Sequence, residues 1–314
     1  MSNYFKNVVG QSRSTKILAS HLDSRLISHA YLFLGREGVG KEYLAKEFAR
    51  YIICGNKGED DCPSCVRFKK GIHPDFIFID GFDGIKIDQI REVVERINLT
   101  PSVSKKKVLL ISGAENIGIE AANALLKTLE EPPADSVILI TSRSEKRLPE
   151  TIVSRTQVIK LNDIPKNEIE KTLLYSYPKE EIESVLSISG GSMGECIRLL
   201  TDKKYRLKQE EIRNDVISFL KNNSVLDRFK IVEKYEKNKS IKTFFSFLTD
   251  TVLGSLISDY GESTEFSEKD LKSISASRKK IIAEKILKNY RNLDYNINLR
   301  IILEEMILED SLNG

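Results

Sequence analysis

Glycine and proline are scarce in this sequence, at 17 and 8 of 314 residues, which excludes disordered and collagen-like classes. Long apolar runs are missing too. No stretch approaches the ~18 residues of a membrane-spanning helix. The opening MSNYFKNVVG lacks the basic-then-apolar layout of a secretory signal, so a cytoplasmic location with no membrane partner is expected. Excess charge is also missing: 49 Lys+Arg against 46 Asp+Glu leaves a formal +3. A chain so nearly balanced does not coat nucleic acid by bulk electrostatics, and any DNA contact must be local. Four cysteines are too few for a disulfide scaffold, yet Cys54, Cys62 and Cys65 crowd into twelve positions. In a reducing compartment that clustering points to metal.

What is present is 40% hydrophobic and 30% charged, the profile of a globular chain of about two or three domains. In the first half, short runs rich in β-branched residues alternate with helical patterns: Tyr31 to Leu34, Phe76 to Ile79, Val108 to Ile111, Val137 to Thr141 and Val158 to Leu161. The intervals suit helical crossovers, so the pattern predicts a parallel five-stranded sheet covered on both faces. After Leu161 the strand signal ends. Ile164-Pro165 marks a break, and Lys166 to about Leu200 reads as short helices with a turn at Gly190-Gly191. From about Lys204, apolar residues recur at helical spacing, as in Ile241, Phe244, Phe245, Leu248, Val252 and Leu256, and again in Ile301, Ile302, Met306 and Ile307. The aromatic stretch Phe244-Phe245-Phe247 is read as core rather than as a platform for bases. The basic runs Lys105-Lys106-Lys107 and Arg278-Lys279-Lys280 are read equally as solvated element ends.

Tyr31 to Leu34 leads into Gly35-Arg36-Glu37-Gly38-Val39-Gly40-Lys41-Glu42, followed by a helical pattern from Tyr43 to Ile53. Strand, glycine-rich turn and helix form a phosphate loop. Gly35, Gly38 and Gly40 let the backbone curl so that N–H groups face an anion, and Lys41 adds a positive charge. The magnesium-binding hydroxyl expected after the lysine is replaced by Glu42, whose repulsion from a polyphosphate at ~4 Å would cost a few kcal/mol. The second strand of such a site should end in a metal-holding acid. Here Lys107 to Ile111 continues into Ser112, Gly113 and Ala114, and the first acid is Glu115. Both losses argue against ATP in this loop and against intrinsic hydrolysis.

Several further segments resemble the clamp-loader branch of the AAA+ ATPases, over nearly the whole chain. They are Val8-Val9-Gly10-Gln11, Ser28 to Phe33, Gly71-Ile72-His73-Pro74-Asp75, Ala121 to Pro133 with its Leu129-Glu130-Glu131-Pro132-Pro133 ending, and Leu148-Pro149 through Ser154-Arg155-Thr156. The resemblance implies an α/β AAA+ P-loop domain, a small helical lid domain and an all-helical collar domain that oligomerises. The corresponding spans are 1–162, with a cysteine-rich insertion at 54–75, then 163–204 and 205–314. Asn292 to Asn298 followed by Leu299 to Leu308 resembles the closing collar segment.

In that family a Ser-Arg-Cys triplet carries an arginine finger that reaches the ATP of a neighbouring subunit. The resemblance assigns this role to Arg155, although the third residue departs to Thr156. Without the resemblance, Arg155 also reads as a surface arginine at a strand start. Motor subunits carry a lid arginine after Gly-Ser, where this chain has Gly191-Ser192-Met193-Gly194. Together with Glu42 and Ser112, that glycine matches the non-motor pattern. The implied partners are motor subunits and a clamp-opening subunit in a five-membered ring, the sliding clamp, and primed DNA reached through the assembly.

The family usually carries four cysteines after the phosphate-loop helix, forming a structural zinc module. This chain has Cys54, Cys62 and Cys65, the last pair at zinc-type spacing. A fourth ligand could be His73, Glu59, Asp60, Asp61 or water, and a vestigial site of thiols is the competing reading. Cys196 is read as core, and His29 as structural. Two rival functions stay open: an active motor in which Glu42 itself binds magnesium, and a zinc-dependent DNA-binding protein on a degenerate scaffold.

Overall fold

The computed structural model describes residues 4–55, 62–82, 84–189, 191–222, 224–259, 271, 274–290 and 298–312. Gly190, Asn292 to Ile297, and the candidate ligands Glu59, Asp60 and Asp61 lie outside the described residues. The chain divides into two compact units. The first is Met1–Tyr175 with Gly191–Gly194; the second is Ser176–Gly190 with Glu195–Gly314.

The first unit runs α1 (Ser12–Ser24), β1 (Ala30–Leu34), α2 (Lys41–Cys54), α3 (Pro63–Lys69), β2 (Phe76–Asp80), α4 (Ile87–Asn98), β3 (Lys107–Ser112), α5 (Ile119–Glu130), β4 (Ser136–Ser142), α6 (Glu150–Val153), β5 (Gln157–Lys160) and α7 (Lys166–Leu173). All strand pairings are parallel, in the order β2-β3-β4-β1-β5. The expected strands are all present, and β5 starts and ends one residue earlier than the apolar run suggested. Position in the sheet explains the sequence of each strand. The three inner strands β3, β4 and β1 are buried at every residue, whereas edge strands β2 and β5 mix buried with exposed positions.

Alternate residues of the inner strands feed opposite faces. Leu32, Leu109, Ile111, Ile138 and Ile140 join a core with Ile90, Val93 and Ile97 of α4 and Ala122, Leu125 and Leu129 of α5. Tyr31, Phe33, Val108, Leu110, Val137 and Leu139 join the other core with Leu18 of α1 and Leu44, Phe48 and Ile52 of α2. Lys107 is not a solvated end. It opens β3, is buried, and its ammonium donates to the Arg96 carbonyl at 3.0 Å, because an inner strand starts beneath the end of α4. Lys279 is buried likewise.

Among its described residues the second unit has helices and no strands: α8 (Lys179–Ser189), the part of α9 (Met193–Thr201) from Glu195 onward, α10 (Lys203–Lys221), α11 (Val225–Lys237), α12 (Ile241–Asp259), α13 (Ala276–Tyr290) and α14 (Leu299–Leu312). Phe219 of α10 and Tyr235 of α11 pack on Phe244 of α12, with Leu248, Val252, Ile286, Ile302, Met306 and Ile307 completing the core. The aromatic stretch of α12 is therefore core, as its helical spacing indicated. Ile301 is the exception in its quartet and faces outward at 60% exposure. Cys196 is fully buried. Among the described residues, no helix is long and apolar enough to cross a membrane.

Candidate functional site

The chain leaves the buried end of β1 at Leu34, curls through Gly35 to Gly40, and enters α2 at Lys41. Gly38 and Gly40 have φ of 75° and 94°, in the left-handed region that favours glycine. At Gly35 a side chain is excluded by space, since a Cβ would stand 2.7 Å from the Leu161 carbonyl oxygen. The glycines are thus required by the turn itself, whatever the turn holds.

The charges around this loop face one another. Lys41 Nζ donates to the Gly35 and Arg36 carbonyls at 2.7 Å each, and burial lowers its pKa. Glu42 accepts from Ser112 Oγ at 2.7 Å and from Lys46 Nζ. Burial pushes the Glu42 carboxyl upward, but the bonds from Lys46 and Ser112 outweigh it and hold the pKa below the ordinary value. Ser112 ends β3, where a metal-holding acid was looked for, and Thr141 Oγ1 lies 3.5 Å from its hydroxyl. Arg143, just past β4, bridges Glu37 at 2.9 Å and the buried Glu115 at 2.8 Å. Gly194 N donates to the Gly38 carbonyl at 3.1 Å, and a Cβ at position 194 would stand 3.1 Å from that same oxygen. Any larger residue there, a lid arginine included, would press on the loop.

A magnesium triphosphate needs a hydroxyl after the lysine, a carboxylate at the end of the second strand and an available cation. The residues here offer a carboxylate, a hydroxyl and a lysine bound to its own loop. They do not fit that ligand. The Glu42–Ser112 bond shows the two replacements acting together: acid and hydroxyl have changed places and satisfy each other.

The cysteine cluster assembles at the junction of α2 and α3. Cys54 ends α2, Cys62 caps α3 by accepting from Cys65 N at 3.3 Å, and Pro63 suits the first helical position. The three sulfurs lie within 4.8 Å of one another, with Cys54 and Cys62 Sγ 3.2 Å apart, and none is in a disulfide. Three convergent thiols on rigid helix ends fit a soft cation such as zinc. Burial pushes the Cys65 thiol up to about 12. Burial also opposes ionisation at Cys62, but the hydrogen bonds from the Cys65 N–H, from the Cys54 and Cys65 thiols and from the Ser64 backbone together outweigh it and lower that pKa. Arg50, one turn before Cys54 on α2, is buried, paired with Glu47 at 2.8 Å, and places Nη1 3.6 Å from Cys65 Sγ. Sequence reasoning passed over Arg50, although the spacing of four from Cys54 was a usable signal.

His73 does not join the cluster. It is buried, its Nδ1 accepts from Asp75 N at 3.1 Å, and its Nε2 lies 3.3 Å from Ser64 Oγ. That arrangement makes Nε2 the protonated nitrogen. Asp75 is fully buried and accepts from the backbone N–H groups of Ser102, Val103 and Ser104 at 2.6–2.8 Å, and from Ser104 Oγ at 2.6 Å. Burial pushes its carboxyl upward, yet the Ser104 hydroxyl and three N–H groups win and hold it at about 2. The Gly71-to-Asp75 segment therefore ties the cysteine region to the 102–104 loop.

Arg155 follows α6 and precedes β5, at 35% side-chain exposure. Its Nη1 donates to the Thr151 carbonyl at 3.0 Å and to Ser154 Oγ at 3.3 Å, while Nη2 pairs with Glu130 Oε1 at 2.7 Å. Glu130 is the last residue of α5 and half exposed. None of the phosphate-loop groups contacts this turn among the described hydrogen bonds and ion pairs.

Residues 10–165 match the family model described as DNA polymerase III, delta subunit. The chain is 37% identical over 177 residues to the DNA polymerase III subunit delta-prime of Pseudomonas aeruginosa, covering 52% of this chain and 53% of that one. It is 32% identical over 200 residues to the delta-prime subunit of Bacillus subtilis, covering 62% and 60%. Over residues 10–165 this chain resembles the clamp-loader subunits of DNA polymerase III. Relatives in the family are not of one kind. A DNA polymerase III subunit gamma of Buchnera aphidicola is 35% identical over 185 residues, covering 58% of this chain and 51% of that one. The chain spans about half the length of the first clamp-loader relatives it matches. Among solved structures, a DNA polymerase III gamma subunit-related protein of Thermotoga maritima aligns over 94% of this chain and 98% of that one, at 19% identity and a TM-score of 0.36.

Proposed function

We propose that the chain is a non-motor subunit of delta-prime type in a replicative clamp loader, which presents Arg155 to the ATP of a neighbouring motor subunit. The observation that carries this reading is the bond between Glu42 and Ser112 at 2.7 Å, beside a Lys41 held by its own loop. Gamma and delta-prime relatives match this chain at similar identity. The choice between them therefore depends on the chemistry at these positions.

In this role the glycine loop keeps the fold and Arg155 supplies positive charge in trans, where a guanidinium stabilises charge developing on a transferring phosphoryl group. The partners are motor subunits and a clamp-opening subunit in a five-membered ring, with the sliding clamp and primed DNA engaged by the assembly in the cytoplasm. The proposed organisation is an α/β domain over 1–162, a lid over 163–204 and an oligomerising collar over 205–314. Cys54, Cys62 and Cys65 hold a structural zinc, with the identity of the fourth ligand left open.

Two measurements on the isolated full-length chain test this. Binding of a fluorescent ATP analogue with magnesium is expected to be absent up to roughly millimolar concentration, a free energy weaker than about −4 kcal/mol. A Kd in the micromolar range, or steady turnover, would instead support the motor reading. Metal analysis is expected to find about one zinc per chain, lost on Cys62→Ser with Cys65→Ser. DNA binding by the isolated chain that disappears with those substitutions would favour the zinc-dependent DNA-binding alternative.

A further inference from the structure

The guanidinium of Arg155 does not project from its turn. One arm donates to the Thr151 carbonyl on its own short helix, and the other meets Glu130 at 2.7 Å, at the end of α5. Both side chains are open to solvent, at 35% and 50%, so the pair is a weak one that an opposing anion can displace. We infer that Glu130 is a positioning residue for Arg155: it holds the guanidinium folded back on its own subunit until the phosphates of a neighbour's nucleotide compete for it. This rests on the proposed trans role of Arg155.

The physical argument is one of competition. An exposed carboxylate–guanidinium pair contributes little to folding, and its two partners come from elements 25 positions apart in sequence. A nucleotide polyphosphate carries several negative charges and presents oxygens in the geometry a guanidinium favours. It therefore wins once a neighbour brings it within reach. Before that, the carboxylate occupies the arm that would otherwise be available, and Thr151 fixes the other. The population of engaged Arg155 then depends on how strongly Glu130 holds it.

The test uses the assembled complex with the motor and clamp-opening subunits of the same source, and compares wild type, Glu130→Gln, Glu130→Asp, Arg155→Ala and the double variant Glu130→Gln/Arg155→Ala. Glu130→Gln is expected to raise kcat for ATP about two- to fivefold, the range released by losing one exposed ion pair, with less change in KM. Glu130→Asp, which keeps the charge, is expected to return kcat towards wild type. The double variant is expected to match Arg155→Ala alone. In the isolated chain, Glu130→Gln is expected to speed modification of Arg155 by phenylglyoxal, followed by peptide mass spectrometry. If Arg155→Ala slows turnover while Glu130→Gln changes neither turnover nor Arg155 reactivity, the positioning role is overturned and the trans arginine stands. If Arg155→Ala leaves turnover unchanged in an intact assembly, the trans arginine falls, and the positioning role with it.

Discussion

At the phosphate loop, opposite charges and matched polar groups close on one another. Lys41 is bound to two carbonyls of its own loop, Glu42 to Ser112 and Lys46, and Arg143 to Glu37 and Glu115. At the turn after α6, the balance is different: Arg155 meets one carboxylate, two local oxygens and solvent. Both regions carry a cation suited to phosphate. In the first the lysine is turned onto two backbone carbonyls of its own loop, whereas in the second the arginine is held by a solvent-exposed carboxylate that an opposing anion can displace. The contrast shows that a phosphate-binding fold and phosphate chemistry are separable. The glycine loop is held in place by sterics, as at Gly35, while the chemistry depends on a few side chains whose replacement leaves the turn unchanged.

The largest expected effect falls on the open side of this comparison. Arg155→Ala should slow ATP hydrolysis at the neighbouring site by about a hundredfold or more, diluted in total turnover by the sites that other subunits serve. Assembly, followed by gel filtration of the complex, should be intact. Loss of assembly would show the arginine to be structural.

Gly35→Ala probes the closed side as a matter of stability. Its Cβ would lie 2.7 Å from the Leu161 carbonyl, so denaturant unfolding should show a loss of roughly 2–3 kcal/mol. A loss below about 0.5 kcal/mol would mean the loop adapts and the glycine is not required by the turn.

Asp75→Asn tests the tie between the cysteine region and the 102–104 loop. With its carboxyl at about 2 in the folded chain against 3.8 unfolded, Asp75 contributes about 2 kcal/mol. Because the folded value is depressed, that contribution is present above pH ~4 and is lost as the pH falls towards about 2. Urea titrations across that window should show wild type losing stability that the Asn variant has already lost. Parallel curves for the two proteins would contradict the assignment.

The smallest effect is expected at Lys41. Its partners are carbonyls of its own loop, so Lys41→Ala should change stability by no more than about 1 kcal/mol. A fall of several kcal/mol in chemical denaturation would show that the lysine anchors the loop.

Much of the first unit was legible because inner strands of a parallel sheet must be apolar on both faces, and those runs stand out between helices. The phosphate loop was legible for a related reason, since close backbone turns demand glycine. Glu42, Ser112 and Gly194 were each visible as departures, but not that Glu42 and Ser112 bond each other, because the partners are 70 positions apart. Glu130 was read only as part of a family segment, and its contact with Arg155 exists only after α5 and α6 pack. Lys107 was misjudged for the same reason: a lysine run looks solvated until the strand it opens is placed in the middle of a sheet. His73 stood among the candidate metal ligands until the bonds to Asp75 and Ser64 occupied both its nitrogens.

The most direct test of the account places its two cations in one assay. ATP turnover of the assembled complex, with clamp and primed DNA, would be measured for wild type, Lys41→Ala and Arg155→Ala. The account predicts turnover within about twofold of wild type for Lys41→Ala and a marked fall for Arg155→Ala. A marked fall for Lys41→Ala with Arg155→Ala unaffected would contradict it, and would return the phosphate loop of this chain to the position of a working ATP site.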